Sequence, residues 1–216
     1  VTELIASAAA SYAAQNTTPF DDVVDTIATS TRESLPNAGM MSGLAEARLL
    51  EALLVVGGAQ RVLEIGTFVG LGAVSMAAAL PPDGHVTTLE VNPDTAATAR
   101  RNIDESGYSD RIELIVGDAL ETLERLEGPF DLIYIDAWKN DYPAYYERVL
   151  PKLAERGVIV CDNMLQHGRA FDPEADDESA RGVRTLAQQV NDDPRVHNVL
   201  LTIGDGVMVI WRHGSR

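Results

Sequence analysis

Two short apolar runs constrain the architecture of this chain more than any other feature. Between residues 130 and 163 the sequence reads FDLIYIDAWKN, then an amphipathic segment, then GVIVCDN. Runs such as 131–135 and 157–161 are the unbroken, β-branched strings of parallel strands buried on both faces. Parallel neighbours need a crossover, and the helical segment 142–153 supplies one. Both runs break into polar residues at the same end, Asp136 after the first and Asp162-Asn163 after the second. In an open parallel sheet, ligands sit beyond the carboxyl ends of the strands, so these three side chains can meet at one point. Two carboxylates and an amide carbonyl are hard donors, suited to Mg²⁺, Mn²⁺ or Ca²⁺. Lys139, three residues after Asp136, reaches the same point. An aspartate after a strand also serves as a helix cap or turn residue, and the residues alone leave both roles open.

The rest of the chain continues the alternation. Strands are expected at 61–65, 85–90 and 111–116, with helices at 70–80, 93–106 and 117–126. Residues 164–178 read as a polar, acidic loop and 179–191 as a helix. Runs 196–203 and 207–212 flank Gly204-Asp205-Gly206, the turn of an antiparallel hairpin that closes the sheet. The fold class is therefore α/β, a doubly wound and mostly parallel sheet of seven strands with a C-terminal antiparallel hairpin and helices on both faces. Residues 1–40 read as an arm with helices at 4–14 and 21–34. The arm has no core of its own and is set to pack on the main domain or a partner subunit. Residues 41–216 read as one globular unit. Ser42 is expected to cap a helix whose stripe, Leu44, Leu49, Leu50, Leu53 and Leu54, runs to Gly57-Gly58.

Charge narrows the partners. The chain carries 33 acidic against 17 basic residues, a formal net charge of -16. That opposes nucleic-acid phosphate and anionic membranes and tolerates a cationic small molecule. Lysine occurs only as Lys139 and Lys152, and the first lies beside the candidate site. The single cysteine, Cys161, has no disulfide partner, suits a reducing compartment and reads as an inert buried residue. Residues 1–31 hold no Lys or Arg and no long apolar core, and nothing approaches a membrane span. A cytoplasmic location is the expectation.

The first βα turn, VLEIGTFVGLG, bends through Gly66, Gly70 and Gly72, and meets the dinucleotide fingerprint only loosely. Glu90 ends the second strand, where an acidic side chain can accept both hydroxyls of a ribose. Glu64 stands just before the turn, where a pyrophosphate would otherwise lie. A carboxylate there repels phosphate and suits an ammonium or sulfonium group. Asp118, at the mouth of the third strand, adds acidity near an adenine-sized pocket. These residues favour S-adenosylmethionine over NAD.

Met41-Ser42-Gly43 with Glu46, LEIGTFVG, TTLEVNP, VGDAL, YIDAWKNDY, GVIVCDN and GDGVMVI together resemble the cation-dependent O-methyltransferases. That group contains catechol O-methyltransferase and caffeoyl-CoA O-methyltransferase, and the resemblance covers most of the chain from about residue 40 onward. It implies a Rossmann-like class I methyltransferase fold, S-adenosylmethionine as cofactor, and Mg²⁺ (or Mn²⁺ or Ca²⁺) on Asp136, Asp162 and Asn163. It puts Lys139 as the base on the substrate hydroxyl, with Asp136 beside it, and Glu90 on the ribose. Glu64, Gly66, Thr67 and Gly72 would surround the methionine part, Ser42 would meet its carboxylate, and Ala119 and Trp138 would flank the adenine. Asp118 and Asp136 complete the implied cofactor set. Gly72 stands where many relatives have serine. Trp138 matches the catechol enzyme, whereas the caffeoyl-CoA group usually has Asp.

The implied reaction is methylation of one hydroxyl of a small vicinal diphenol, by a homodimer. A free diphenol is expected over an acyl-CoA ester, because CoA brings phosphate charges and residues 172–178 are acidic. Arg169, Arg181 and Arg184 are the nearby basic candidates. Two rivals fit less well. A NAD-dependent oxidoreductase needs a phosphate-friendly turn, which Glu64 opposes. A non-catalytic nucleoside-cofactor-binding protein has no use for three metal oxygens and a lysine.

Overall fold

Successive residues of a strand face opposite sides of its sheet, and here both sides are covered. The computed structural model describes residues 7–214. In chain order its elements are α1 (Ser7–Gln15), α2 (Asp22–Ser34), α3 (Leu44–Gly57), β1 (Arg61–Ile65), α4 (Leu71–Ala79), β2 (His85–Glu90), α5 (Pro93–Glu105) and β3 (Ile112–Val116). There follow α6 (Ala119–Arg125), β4 (Phe130–Ile135), α7 (Tyr142–Val149), β5 (Leu153–Cys161), α8 (Glu178–Asp192), β6 (Val196–Leu201) and β7 (Val207–Arg212).

Among the described residues the strands form one seven-stranded sheet in the order β3-β2-β1-β4-β5-β7-β6. Strands β1 to β5 pair in parallel, and β7 runs antiparallel to both β5 and β6. Val62, Leu132 and Tyr134 face a core shared with α2, α3, α4 and α5. Their neighbours Leu63, Ile65, Ile133 and Ile135 face a second core built with α6, α7 and α8. This is the expected doubly wound sheet with helices on both faces. Among the described residues no helix is long and apolar enough to cross a membrane.

Residues 4–6 of the expected first helix lie outside the described residues, and the helix from Ser7 onward is α1. Helix α2 buries Val24, Ile27 and Ala28 in the first core, so this part of the arm packs on the main body. Three local expectations need correction. Gly43, not Ser42, holds the N-cap position of α3, and no side chain caps it; the Ser42 hydroxyl is engaged elsewhere. The expected helix over 142–153 ends at Val149, followed by a 3-10 turn at Leu150–Lys152. Pro151 has no N–H to continue the ladder, and Leu153 instead pairs with Phe130, so β5 starts four residues before Gly157. Strand β6 stops at Leu201, short of Ile203.

Candidate active site

The strand order reverses between β1 and β4, which opens a crevice at their carboxyl ends. Two backbones meet there. Asp136 N–H donates to Ile65 O at 2.9 Å. Gly66 follows with φ 104°, and a Cβ on it would lie 2.8 Å from the Asp136 carbonyl carbon. A side chain at 66 is excluded, so the turn presses directly on the strand that carries Asp136. Beside it lies a small open cavity whose lining includes Met41, Ser42, Glu64, Gly66, Thr67 and Asp136.

Glu64 is 1% exposed. Its Oε2 accepts from Thr88 Oγ1 at 2.5 Å, and the Thr67 hydroxyl lies 2.5 Å from that of Thr88. Burial pushes Glu64 up to about 8, Asp136 and Glu90 push the same way, and the Thr88 bond opposes them. Gly72 makes this position possible, since a Cβ there would collide with Glu64 Oε1. The absence of a serine at 72 is thus compensated by room for the carboxylate.

Glu90 accepts from Phe68 N–H at 2.8 Å and from Asn92 N–H at 2.9 Å. Phe68 reaches it from the left-handed region, φ 50°, so Glu90 ties the glycine turn to the end of β2. Asp118 takes the more ordinary role open to such residues: it caps α6 through Glu121 N–H at 3.0 Å. Ala119 is the first residue of that helix and Trp138 is 68% exposed. Glu90, Asp118, Ala119 and Trp138 do not line the cavity described above.

The ends of β4 and β5 bring together Asp136, Lys139, Asp162 and Asn163. Lys139 Nζ donates to Asp136 Oδ1 at 2.7 Å and to the Tyr142 hydroxyl at 2.9 Å. Tyr142, fully buried, has Ile135 O at 2.9 Å and Asp162 O at 3.0 Å as acceptors for its own proton. It therefore stitches the ends of β4 and β5 beneath the lysine. Asp162 is 2% exposed and accepts from Tyr134 OH at 2.7 Å and from Asn163 N–H at 2.6 Å. Ser42 Oγ stands 3.0 Å from the Tyr134 hydroxyl. Burial, and then the neighbouring charge of Asp136, push Asp162 up to about 6. Asn163 is itself left-handed, φ 54°.

Among the described residues no group of three or more His, Cys, Asp or Glu side chains could hold a metal; the set here is two carboxylates and an amide. That set fits a hard divalent cation by its chemistry. Asp136 Oδ1 and both Asp162 oxygens accept one hydrogen bond each and retain lone-pair capacity for a cation. A cation near Asp162 and Asp136 would also relieve the repulsion that raises Asp162. Cys161 is buried, and burial pushes its thiol up to about 12, an inert group as expected. Tyr134 and Tyr142 carry site hydrogen bonds that the sequence reading did not assign. Their signal was weak, an aromatic residue with a polar tip two before, or six after, the strand-end Asp136.

Residues 15–213 match the sequence model of a family described as O-methyltransferase. The chain belongs to this family. It is 30% identical over 207 residues to probable caffeoyl-CoA O-methyltransferase 1 of Dictyostelium discoideum, covering 93% of this chain and 90% of that protein. It is 44% identical over 138 residues to catechol O-methyltransferase of Mycobacterium tuberculosis, covering 63% of this chain and 62% of that protein. A methyltransferase from Podospora anserina, solved with SAH bound, superposes with a TM-score of 0.90 at 28% identity, over 99% of this chain and 97% of that one. The protein is thus an O-methyltransferase with a class I fold.

The Glu64 burial makes stability depend on pH in a defined direction. Its usual value is 4.5 and its folded value about 8, so between them the folded state binds more protons than the unfolded one. Stability therefore falls as pH rises through that window. In Glu64→Gln this loss disappears, so urea denaturation should find the variant gaining on the parent from pH 5 to pH 8. An equal difference at both pH values would show that Glu64 ionises normally in the fold.

Proposed function

We propose that this O-methyltransferase uses S-adenosylmethionine to methylate one hydroxyl of a small vicinal diphenol, with a divalent cation at Asp136, Asp162 and Asn163. The observation that carries the reading is the meeting of Lys139–Asp136 with Asp162-Asn163, next to a cavity backed by buried Glu64. Support also comes from the catechol and caffeoyl-CoA names of the relatives.

Bound in the cavity, S-adenosylmethionine supplies a methyl group on a positively charged sulfur. Ser42, Glu64, Gly66, Thr67 and Gly72 would surround its amino-acid end in the cavity; beyond that lining, the resemblance puts Glu90 on its ribose and Asp118, Ala119 and Trp138 by its adenine. Asp136, Asp162 and Asn163 would hold a divalent cation, which would supply a Lewis acid that lowers the pKa of a phenolic hydroxyl. Lys139 does the proton work. In the neutral amine its two N–H bonds serve Asp136 Oδ1 and the Tyr142 hydroxyl, and the lone pair remains to take the hydroxyl proton. As ammonium it then holds the phenolate oxygen by charge. Tyr142 limits the swing of Nζ, which favours alignment for an in-line displacement.

A free diphenol suits the acceptor side better than a CoA ester. Arg169 pairs with Asp177 at 3.4 Å and Arg181 with Asp176 at 2.9 Å. Arg184 donates to the carbonyls of Arg169, Asp172 and Ala175. The candidate phosphate-binding arginines are thus engaged within their own loop, on a chain of net charge -16.

Three outcomes are expected. Turnover with a simple diphenol should vanish in EDTA, return with Mg²⁺ or Mn²⁺, and exceed turnover of the matching CoA ester in kcat/KM at one ionic strength; full activity in chelator would sink the metal reading. Lys139→Ala should lower kcat by roughly 10²–10⁴ with cofactor affinity kept, whereas a near-parental kcat would remove the base role. The homodimer implied by the resemblance should appear in light scattering as twice the chain mass, and a monomeric mass would retire it.

A further inference from the structure

We propose that Gly182 in α8 is a positioning residue for Lys139, an inference that rests on the base role given to Lys139 above. The 3-10 turn Lys139–Asp141 lies directly on α8. A Cβ on Gly182 would collide with Lys139 O and stand 2.7 Å from both Lys139 C and Asn140 Cα. These are backbone atoms, which cannot step aside as the tip of a flexible side chain can.

Glycine inside a helix is unfavourable relative to alanine, and Gly182 is the fifth residue of a fifteen-residue helix. Its neighbours Ala180, Val183 and Leu186 are buried and carry side chains. A glycine where the lysine turn comes against the helix backbone therefore has a local steric reason. The base is held at two levels. Its main chain rests on Gly182, and its ammonium end is held by Asp136 and Tyr142. Any side chain at 182 must lift the turn, and with it the root of Lys139, while α8 itself packs in the second core, on the face of the sheet opposite α3 and α4.

The consequence is selective. Lifting the turn by about 1 Å is the kind of misplacement that costs on the order of 10²-fold in rate without touching the reacting groups. Glu64 on β1 and Glu90 on β2 lie away from the turn, and Trp138, which directly precedes it, is 68% exposed, so most of the cofactor contacts are spared.

The test is a double-mutant cycle with Gly182→Ala and Lys139→Ala, read as kcat for a diphenol and, separately, as calorimetric affinity for S-adenosylmethionine. Gly182→Ala should lose about 10²-fold in kcat with cofactor affinity within about twofold, and the double variant should be no slower than Lys139→Ala alone. A Gly182→Ala enzyme at parental kcat beside a slow Lys139→Ala overturns the inference alone. So does a double variant slowed by the full extra factor, since that would place the effect outside Lys139. A fast Lys139→Ala overturns the base role and this inference with it. If Gly182→Ala cannot fold, native-state hydrogen exchange of the unaltered chain decides: amides 140–142 protected together with α8 support the contact, and exchange at the rate of a free loop overturns it.

Discussion

The site depends on one close approach of two backbones. Where β1 and β4 part, Gly66 lies against the carbonyl of Asp136, and Asp136 N–H holds Ile65 O. No Cβ fits between them. The glycine turn that lines the cavity and the carboxylate of Asp136 are consequently fixed to one another through main chain, not through adjustable side chains. Because side chains alternate along β4, Tyr134 and Ile135 point into opposite cores, and the loop after them is delivered to the crevice edge in one orientation. The reversal of strand order supplies the crevice; the glycine sets its width.

Around that crevice the fold collects negative charge in a place where water is scarce. Glu64, Glu90 and Asp162 are each 9% exposed or less, and Asp136 stands among them with Lys139 as its partner. Two of these acids answer by holding protons more tightly, Glu64 by an amount worth roughly a few kcal/mol at 1.36 kcal/mol per unit. Such an arrangement is poor for stability in isolation and becomes sensible when positive charge arrives. A sulfonium beside Glu64 and a divalent ion beside Asp162 would each replace a proton as the compensating cation. The tight hydrogen bonds to Glu64 from Thr88, and to Asp162 from Tyr134 and Asn163, keep the carboxylates oriented in the meantime.

Much of this was legible in the sequence, and the failures are instructive. The strands could be read because strings such as LIYI and VIVC have no use except burial on both faces. The convergence of Asp136 and Asp162 could be read because each follows the carboxyl end of a strand, and those strands prove to be neighbours. The start of β5 could not, since Leu153-Ala154-Glu155-Arg156 are good helix formers and only pairing of Leu153 with Phe130 draws them into the sheet. Ser42 looked like a cap by residue type, but Gly43 takes the cap and the hydroxyl turns to Tyr134. Tyr134 and Tyr142 were hidden for the opposite reason. An aromatic ring in an apolar run reads as core, which both are; the partner of each hydroxyl is decided by which strand ends become neighbours. Asp118, by contrast, was assigned to the pocket mouth from its place after β3, and its side chain caps α6.

The hydrogen-bonded column Ser42–Tyr134–Asp162 has a polarity that distances alone do not reveal. Each hydroxyl has one proton to give. While Asp162 is ionised it can only accept, so Tyr134 must donate downward and Ser42 must donate to Tyr134. The hydroxyl at the cavity wall then shows its contents lone pairs, a surface that welcomes an ammonium; the carboxylate contact that the resemblance implies for Ser42 would need its proton turned to the cavity instead. Protonation of Asp162 allows the whole column to reverse, and Ser42 becomes a donor to the cavity. The buried end thus writes the hydrogen-bonding character of the wall, and the two halves of the crevice share a single proton ledger across the width of the sheet edge.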